Sequence, residues 1–367
     1  MGMLGNLRKT TRSHILTYAI VVVAYVVLQC LVSTHSISYF LGGLLVPVCV
    51  YVCLSISLNL VVGVSGELSL GHAGFMSVGA FSGLAASICL RGVVGPDPLR
   101  LAIAIVVAGV MAAIAGIVIG LPVMRLRGDY LAIVTLAFGE IIKNLLNNLY
   151  LGVDANGLHF SMESSRALGL QRGIVIIDGP QGASGVDKLS TLLAGFLLIL
   201  FTLTVVLNLV NSRTGRAIMA VRDNRIAAES VGINVTKYRL IAFVVSATLA
   251  GMAGALYAMN YSTVVPKKFD FNTSILILVF VVLGGIGNIR GGIVSAALLT
   301  LLPEMLRSIG DYYMLIYAVV LIVVMIATNN ARVRSAFDAL RDRLRRRPGD
   351  GPTLSAGAAN GGGTHEQ

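Results

Sequence analysis

The sequence predicts an all-α integral membrane protein, a polytopic bundle of roughly 8–10 transmembrane helices with both termini on the cytoplasmic side. Three observations carry this. Of 367 residues, 56% are hydrophobic and only 12% are charged, against about 25% charged in a soluble domain; the mean hydropathy is +0.84. Long apolar runs such as "ILTYAIVVVAYVVLQCLV" approach the ~20 residues that a bilayer core requires. They lack the alternation of a barrel strand, and lipid offers backbone amides no partner, so such runs must be helical. Finally, Lys and Arg gather at the ends of the runs, as membrane orientation requires.

Taken in order, the spans fall at 15–33, 40–63, 71–90, 101–121, 130–150, 190–210, 239–260, 273–288, 292–308 and 312–328. The first follows "LRKTTRSH" and has no small-residue cleavage site, which marks a span rather than a signal peptide. Short Gly-rich links join 40–63 to 71–90 and 273–288 to 292–308, so a broken or re-entrant helix is the alternative at both places. With the N-terminus inside, alternation puts 19 of the 28 Lys and Arg residues on the cytoplasmic side. The chain then divides into a basic cytoplasmic N-terminus (1–14), a transmembrane domain (15–330) and a cytoplasmic tail (331–367). The domain carries an external loop at 152–188 and a cytoplasmic loop at 211–238. The tail joins a basic helix, "RVRSAFDALRDRLRRR", suited to anionic lipid, to a Gly/Ala-rich end expected to be disordered.

The formal charge of +11 is accounted for by orientation, so nucleic acid is not an expected partner. Cys30, Cys49, Cys53 and Cys89 lie in apolar runs without metal-ligand spacing and read as small packing residues. Neither a metal nor a cofactor is expected.

Two polar clusters interrupt the apolar pattern. "GELSLGHAGFMSVGAF" (66–81) sets Glu67, Ser69 and His72 among glycines. These are the residue types of a hydrolytic triad, but triad members come from separate elements, and H-E-x-x-H and G-x-S-x-G are both absent. They are expected to satisfy backbone freed by the glycines or to line an aqueous vestibule. "YLAIVTLAFGEIIKNLLNNLY" (130–150) puts Glu140, Lys143, Asn144 and Asn147 on one helical face. Either that face lines a translocation pathway, or Glu140 and Lys143 pair and only fix packing. Ser246, Ala250 and Gly254 form a small-residue stripe that lets helices approach closely.

The loop "NSRTGRAIMAVRDNRIAAESVGINVTKYRLIAF" is expected to be helical from Arg213 to Val231 and to stop at Gly232. It fits either a groove on a partner protein or the membrane interface. The chain contains no G-x-x-x-x-G-K-[ST], so any ATP hydrolysis belongs to another polypeptide and the chain itself is not expected to be an enzyme.

Four blocks, taken in order, resemble the permeases of branched-chain amino-acid ABC importers, the LivM type of the LivH/LivM family. They are "SLNLVVGVSGELSLGHAGFMSVGAF", "LRGDYLAIVTLAFGEIIKN", "TGRAIMAVRDNRIAAESVGINVTKYRLIAFVVSATLAGMAGALYA" and "LVFVVLGGIGNIRGGIVSAALLTLLPEML". The resemblance implies a subunit that carries branched-chain amino acids across the bacterial inner membrane. Its implied partners are a second homologous permease, two ATP-binding ABC subunits and a periplasmic solute-binding protein, within the lipid bilayer. It further implies that residues 211–238 hold the coupling helix, with Arg222, Asp223, Ala227, Ala228, Glu229 and Gly232 at the docking place. The family signature there is Glu-Ala-Ala, three residues, then Gly; this chain has Ile226 in place of the leading Glu. Where the family often has Thr-Gly-Gly-Ala-Asn-Gly, the chain has Gly152-Val153-Asp154-Ala155-Asn156-Gly157. Related permeases make urea or a short-chain amide the nearest alternative solute. An ion-coupled secondary transporter, with Glu140 as coupling carboxylate, is the alternative class; such a carrier has no need of the 211–238 loop.

Overall fold

The computed structural model describes residues 2–34, 39–91, 95–126, 128–154, 157–168, 173–306 and 312–329. The side chains of residues 1–14 and the whole basic helix and tail expected at 331–367 lie outside this description. The chain divides into two compact units, Met1–Tyr313 and Met314–Gln367.

Every expected span contains a helix. They are α1 (Gly2–Ser33), α2 (Tyr39–Asn59), α3 (His72–Cys89), α4 (Asp97–Val123), α5 (Asp129–Asn147) and α6 (Leu192–Asn211), then α7 (Arg213–Asp223), α8 (Arg225–Ser230), α9 (Val235–Ala258), α10 (Phe271–Gly284), α11 (Ile289–Leu306) and α12 (Tyr313–Asn329). Of these, α7 and α8 fall in the expected cytoplasmic loop, and α12 belongs to the second unit. Side-chain caps start several helices where the sequence offers Ser, Thr, Asn or Asp. Thr191 accepts from the Ala194 amide at 3.2 Å, Asn234 from Lys237 at 3.0 Å and Asp270 from Thr273 at 3.0 Å.

Among the described residues six helical stretches are long and apolar enough to cross a membrane: Gly42–Ser65, His72–Cys89, Asp97–Val123, Leu192–Asn211, Val235–Ala258 and Ile289–Leu306. The 14 residues of α10 extend about 21 Å at 1.5 Å per residue, less than the ~30 Å core. It does not cross alone, and it turns into α11 through the glycines of 284–292.

Burial orders the bundle. The apolar window of α2 is 94% buried, against 33% for α4 and 17% for α11, so α2 is the axis and α4 and α11 present broad apolar flanks. On one side of α2 the helices α3, α4 and α9 pack backbone to backbone. A Cβ on Gly79 would lie 2.1 Å from the Gly251 carbonyl oxygen, and one on Gly254 would lie 2.0 Å from that of Met76. Without lipid-phase hydrophobic attraction between helices, this close approach supplies the packing.

The segment expected as an external loop adds a feature absent from the apolar pattern. Strands β1 (Tyr150–Asp154), β2 (Gly157–Ser161) and β3 (Ile174–Asp178) form an antiparallel sheet in the order β2-β1-β3. A second pair, β4 (Ala183–Ser184) with β5 (Thr263–Val264), ties this segment to the α9–α10 link.

Candidate functional site

The helical pattern breaks at the C-terminal end of α2. After Asn59 the chain widens into a π-helical turn, Leu60–Ser65, closed by Gly66 at φ 74°. Five-residue spacing leaves an oversized turn whose end must be satisfied from outside it. The amides of Gly66 and Glu67 both donate to the Val61 carbonyl. Only glycine adopts that φ cheaply, so the "SGEL" stretch fixes the exit angle.

From this exit, Glu67, Ser69 and His72 go separate ways. Glu67 turns to Arg239 of α9 and forms an ion pair in which the arginine is buried and the glutamate is 15% exposed. Ser69 is buried, and its hydroxyl has no hydrogen-bond partner among the described residues. His72 opens α3 at 2% exposure, its Nε2 2.8 Å from the Ser57 hydroxyl of α2. The link itself is held by α5 and α10. Thr135 accepts from the Leu70 amide at 3.1 Å, and Ser274 accepts from the Ala73 amide at 3.1 Å. A buried polar seam results, continued by Ser246, which donates to the Ser57 carbonyl at 2.6 Å. Arg239, Ser57, Thr135 and Ser246 are the partners that sequence reasoning missed. Ser57, Thr135 and Ser246 leave no signal beyond a small polar residue in an apolar run, and Arg239 reads only as one more basic residue at the end of a span.

On α5, Glu140 and Lys143 pair at i, i+3. Leu131, Ala132, Thr135 and Leu146 are the buried residues of α5, and Gly139 abuts Gly71. The face carrying Glu140, Lys143, Asn144 and Asn147 is turned about 100° from this packing surface at 3.6 residues per turn. Half-buried to exposed within this chain, it stays separate from the Glu67–His72 seam.

The expected single helix of 213–231 is two helices. Asn224 adopts extended backbone (φ −154°, ψ 103°) and caps α8, its side chain accepting from the Ala227 amide. An asparagine competes with the helix for its own backbone and restarts it one residue later. Helix α8 ends as expected at Gly232, with φ +83°. Val221, Ala228 and Val235 form a small core beneath the pair, packed by Ile233. Ala228 is thus buried within the loop, while Ile226 and Val231 are 80% and 74% exposed. Glu229 pairs with Arg225 at 2.9 Å, and Asp223 pairs with Arg222.

Arg222 and Arg239 also reach the π-turn and its exit. Together with Ser65, Gly66, Glu67 and Asp129 they line a cavity of about 350 Å³. Among the described residues no group of three His, Cys, Asp or Glu is placed to hold a metal ion.

Among the described residues, the six helices long and apolar enough to cross a bilayer, packed around a buried polar seam, are those of a multi-pass membrane protein. Residues 40–326 match the family described as branched-chain amino acid transport system, permease component, and the chain belongs to that family. It is similar to the high-affinity branched-chain amino acid transport system permease protein LivM of Salmonella typhimurium and to that of Escherichia coli. It is 37% identical to each over 296 residues, covering 76% of this chain and 66% of the relative. The chain therefore spans just under two thirds of the length of these relatives. It is also 23% identical over 310 residues to the fructose import permease protein FruG of Bifidobacterium longum, covering 82% and 86%.

Proposed function

We propose that this chain is the permease subunit of an ABC importer for branched-chain amino acids, set in the bacterial inner membrane with both termini cytoplasmic. The observation that carries this reading is the α7–α8 pair. It stands at one end of the bundle on its own small core and offers exposed Ile226 and Val231 beside Arg225 and Glu229. Such a rigid, mixed apolar and charged tip suits the groove of a separate ATPase; an ion-coupled carrier has no use for it. The amino-acid solute is taken from the two LivM relatives. The FruG relative speaks for a common transport architecture that different solutes share.

The polar face of α5 supplies the second element. Asn144 is exposed and Lys143 and Asn147 are only half-buried, and lipid is a poor neighbour for such a face. A second permease subunit covers it, and the pathway for the solute runs between the two, past Glu140, Lys143, Asn144 and Asn147. Glu67, Ser69 and His72 belong to the seam that closes or opens its cytoplasmic end. The solute-binding protein docks at the opposite end, over the small sheet.

Co-expression with the ATPase subunits tests the reading. Gly232→Asp is expected to abolish ATPase co-purification while leaving the chain folded, since the site has open space but a left-handed φ. Normal co-purification of that variant would remove the coupling role of the loop. Glu140→Gln is expected to lower leucine uptake by roughly tenfold, equivalent to ~1.4 kcal/mol, with docking intact. Uptake at the wild-type rate would leave Glu140 only its structural ion pair.

A further inference from the structure

Arg222 lies in the loop assigned above to docking, yet its side chain, 40% exposed, reaches the π-turn at the end of α2. Its Nη1 donates to the Gly63 carbonyl at 3.0 Å. Its Nε and Nη2 both donate to one Asp223 carboxylate oxygen, at 3.0 and 2.9 Å, which fixes the guanidinium plane. The stem lies over Gly66, where a Cβ would sit 2.6 Å from the Arg222 Cγ. Gly63 belongs to the last turn of the π-segment, where carbonyls lack intrahelical donors and the helix dipole favours a cation. Arg222 is therefore a C-cap supplied by another helix. The opposite flank of the same turn is held by the α10–α11 link, whose Gly287 amide donates to Asn59 at 2.9 Å.

Only the turn separates Arg222 from the polar seam. Beyond Gly66 come Glu67 on Arg239, Leu70 on Thr135 and His72 on Ser57. The cavity between Arg222, Glu67 and Arg239 leaves room for the turn to move. We propose that Arg222 is a positioning residue that transmits displacement of α7 to the π-turn and hence to the Glu67–His72 segment, while Ile226 and Val231 at the tip make the docking contact. This rests on the importer reading above. It departs from the expectation that Arg222 itself contacts the ATPase.

The test is the reconstituted full complex in proteoliposomes, with Arg222→Met, which keeps the stem and removes the donors, and Arg222→Lys, which keeps one donor. For Arg222→Met the ATPase subunits stay bound and hydrolyse ATP, the KM for leucine is unchanged, and solute moved per ATP falls roughly 3- to 30-fold. Arg222→Lys recovers part of that ratio. In the permease chain alone, Arg222→Met raises amide hydrogen exchange at 64–70 and leaves α8 unchanged. If Arg222→Met does not fold, Arg222→Lys carries the same comparison with a smaller fall. Loss of ATPase binding with unaltered exchange at 64–70 would make Arg222 a docking residue and overturn the inference. An unchanged ratio of solute to ATP would overturn it as well. Absence of ATP-dependent uptake by the wild-type complex would instead sink the importer reading, and the inference with it.

Discussion

Both ends of the bundle are fastened by arginine on carboxylate, but in different surroundings. At the α7–α8 end Arg239 meets Glu67 with side chains 6% and 15% exposed, one cation to one anion. At the sheet end Asp187 is shared. Arg91 reaches it at 2.5 Å and Arg100 at 3.1 Å, while Arg100 also reaches Asp97 at 3.4 Å. Arg91 there is 50% exposed. A largely desolvated pair with no second carboxylate loses its whole partnership when one member goes, because the survivor is left charged and mostly buried. A wetter, shared cluster loses one contact and keeps the others. The Glu67–Arg239 pair is therefore the less forgiving of the two arrangements.

Three variants sharpen that contrast. Glu67→Ala should cost the most, about 3–5 kcal/mol, because it strands Arg239; equilibrium unfolding in mixed micelles measures it. A loss below ~1 kcal/mol would mean that water already reaches the pair. Asp187→Asn comes next, at about 1–3 kcal/mol, since Arg100 keeps Asp97 but loses its better partner. A cost equal to that of Glu67→Ala would erase the proposed difference between the ends. Arg91→Ala should cost no more than about 1 kcal/mol, and near 1 M salt, where screening reaches ~3 Å, the effect should vanish. The Glu67→Ala penalty should survive the same salt. Equal salt sensitivity at both sites would break the comparison.

The readable part of this molecule is the part with a period. A span needs only length and hydropathy, so each apolar run becomes a helix, and Gly232 ends α8 as a left-handed glycine does. The short link at 66–70, expected as a tight turn or a re-entrant break, is a non-helical exit from a π-turn. The π-turn itself leaves no period to detect. Nor does the break at Asn224, where a single capping side chain outweighs an otherwise helical pattern. The sheet at 150–178 was hidden in mixed polarity, because strands of five residues alternate too briefly to stand out.

The family resemblance came from four matched blocks of sequence, whereas composition and spacing alone determined the lipid solvent of this protein, the positions of its apolar helices and the polar character of the 211–238 loop. Those properties are local sums over neighbouring residues, and water or lipid enforces them independently of tertiary contacts. Only the folded chain decided that Glu67 belongs with Arg239, His72 with Ser57 and Arg222 with Gly63. Each of these pairs is brought together from elements far apart in the chain or separated by a turn. A buried charge or an orphan carbonyl must find a partner somewhere, but the sequence states only the need; three-dimensional packing selects which distant residue meets it.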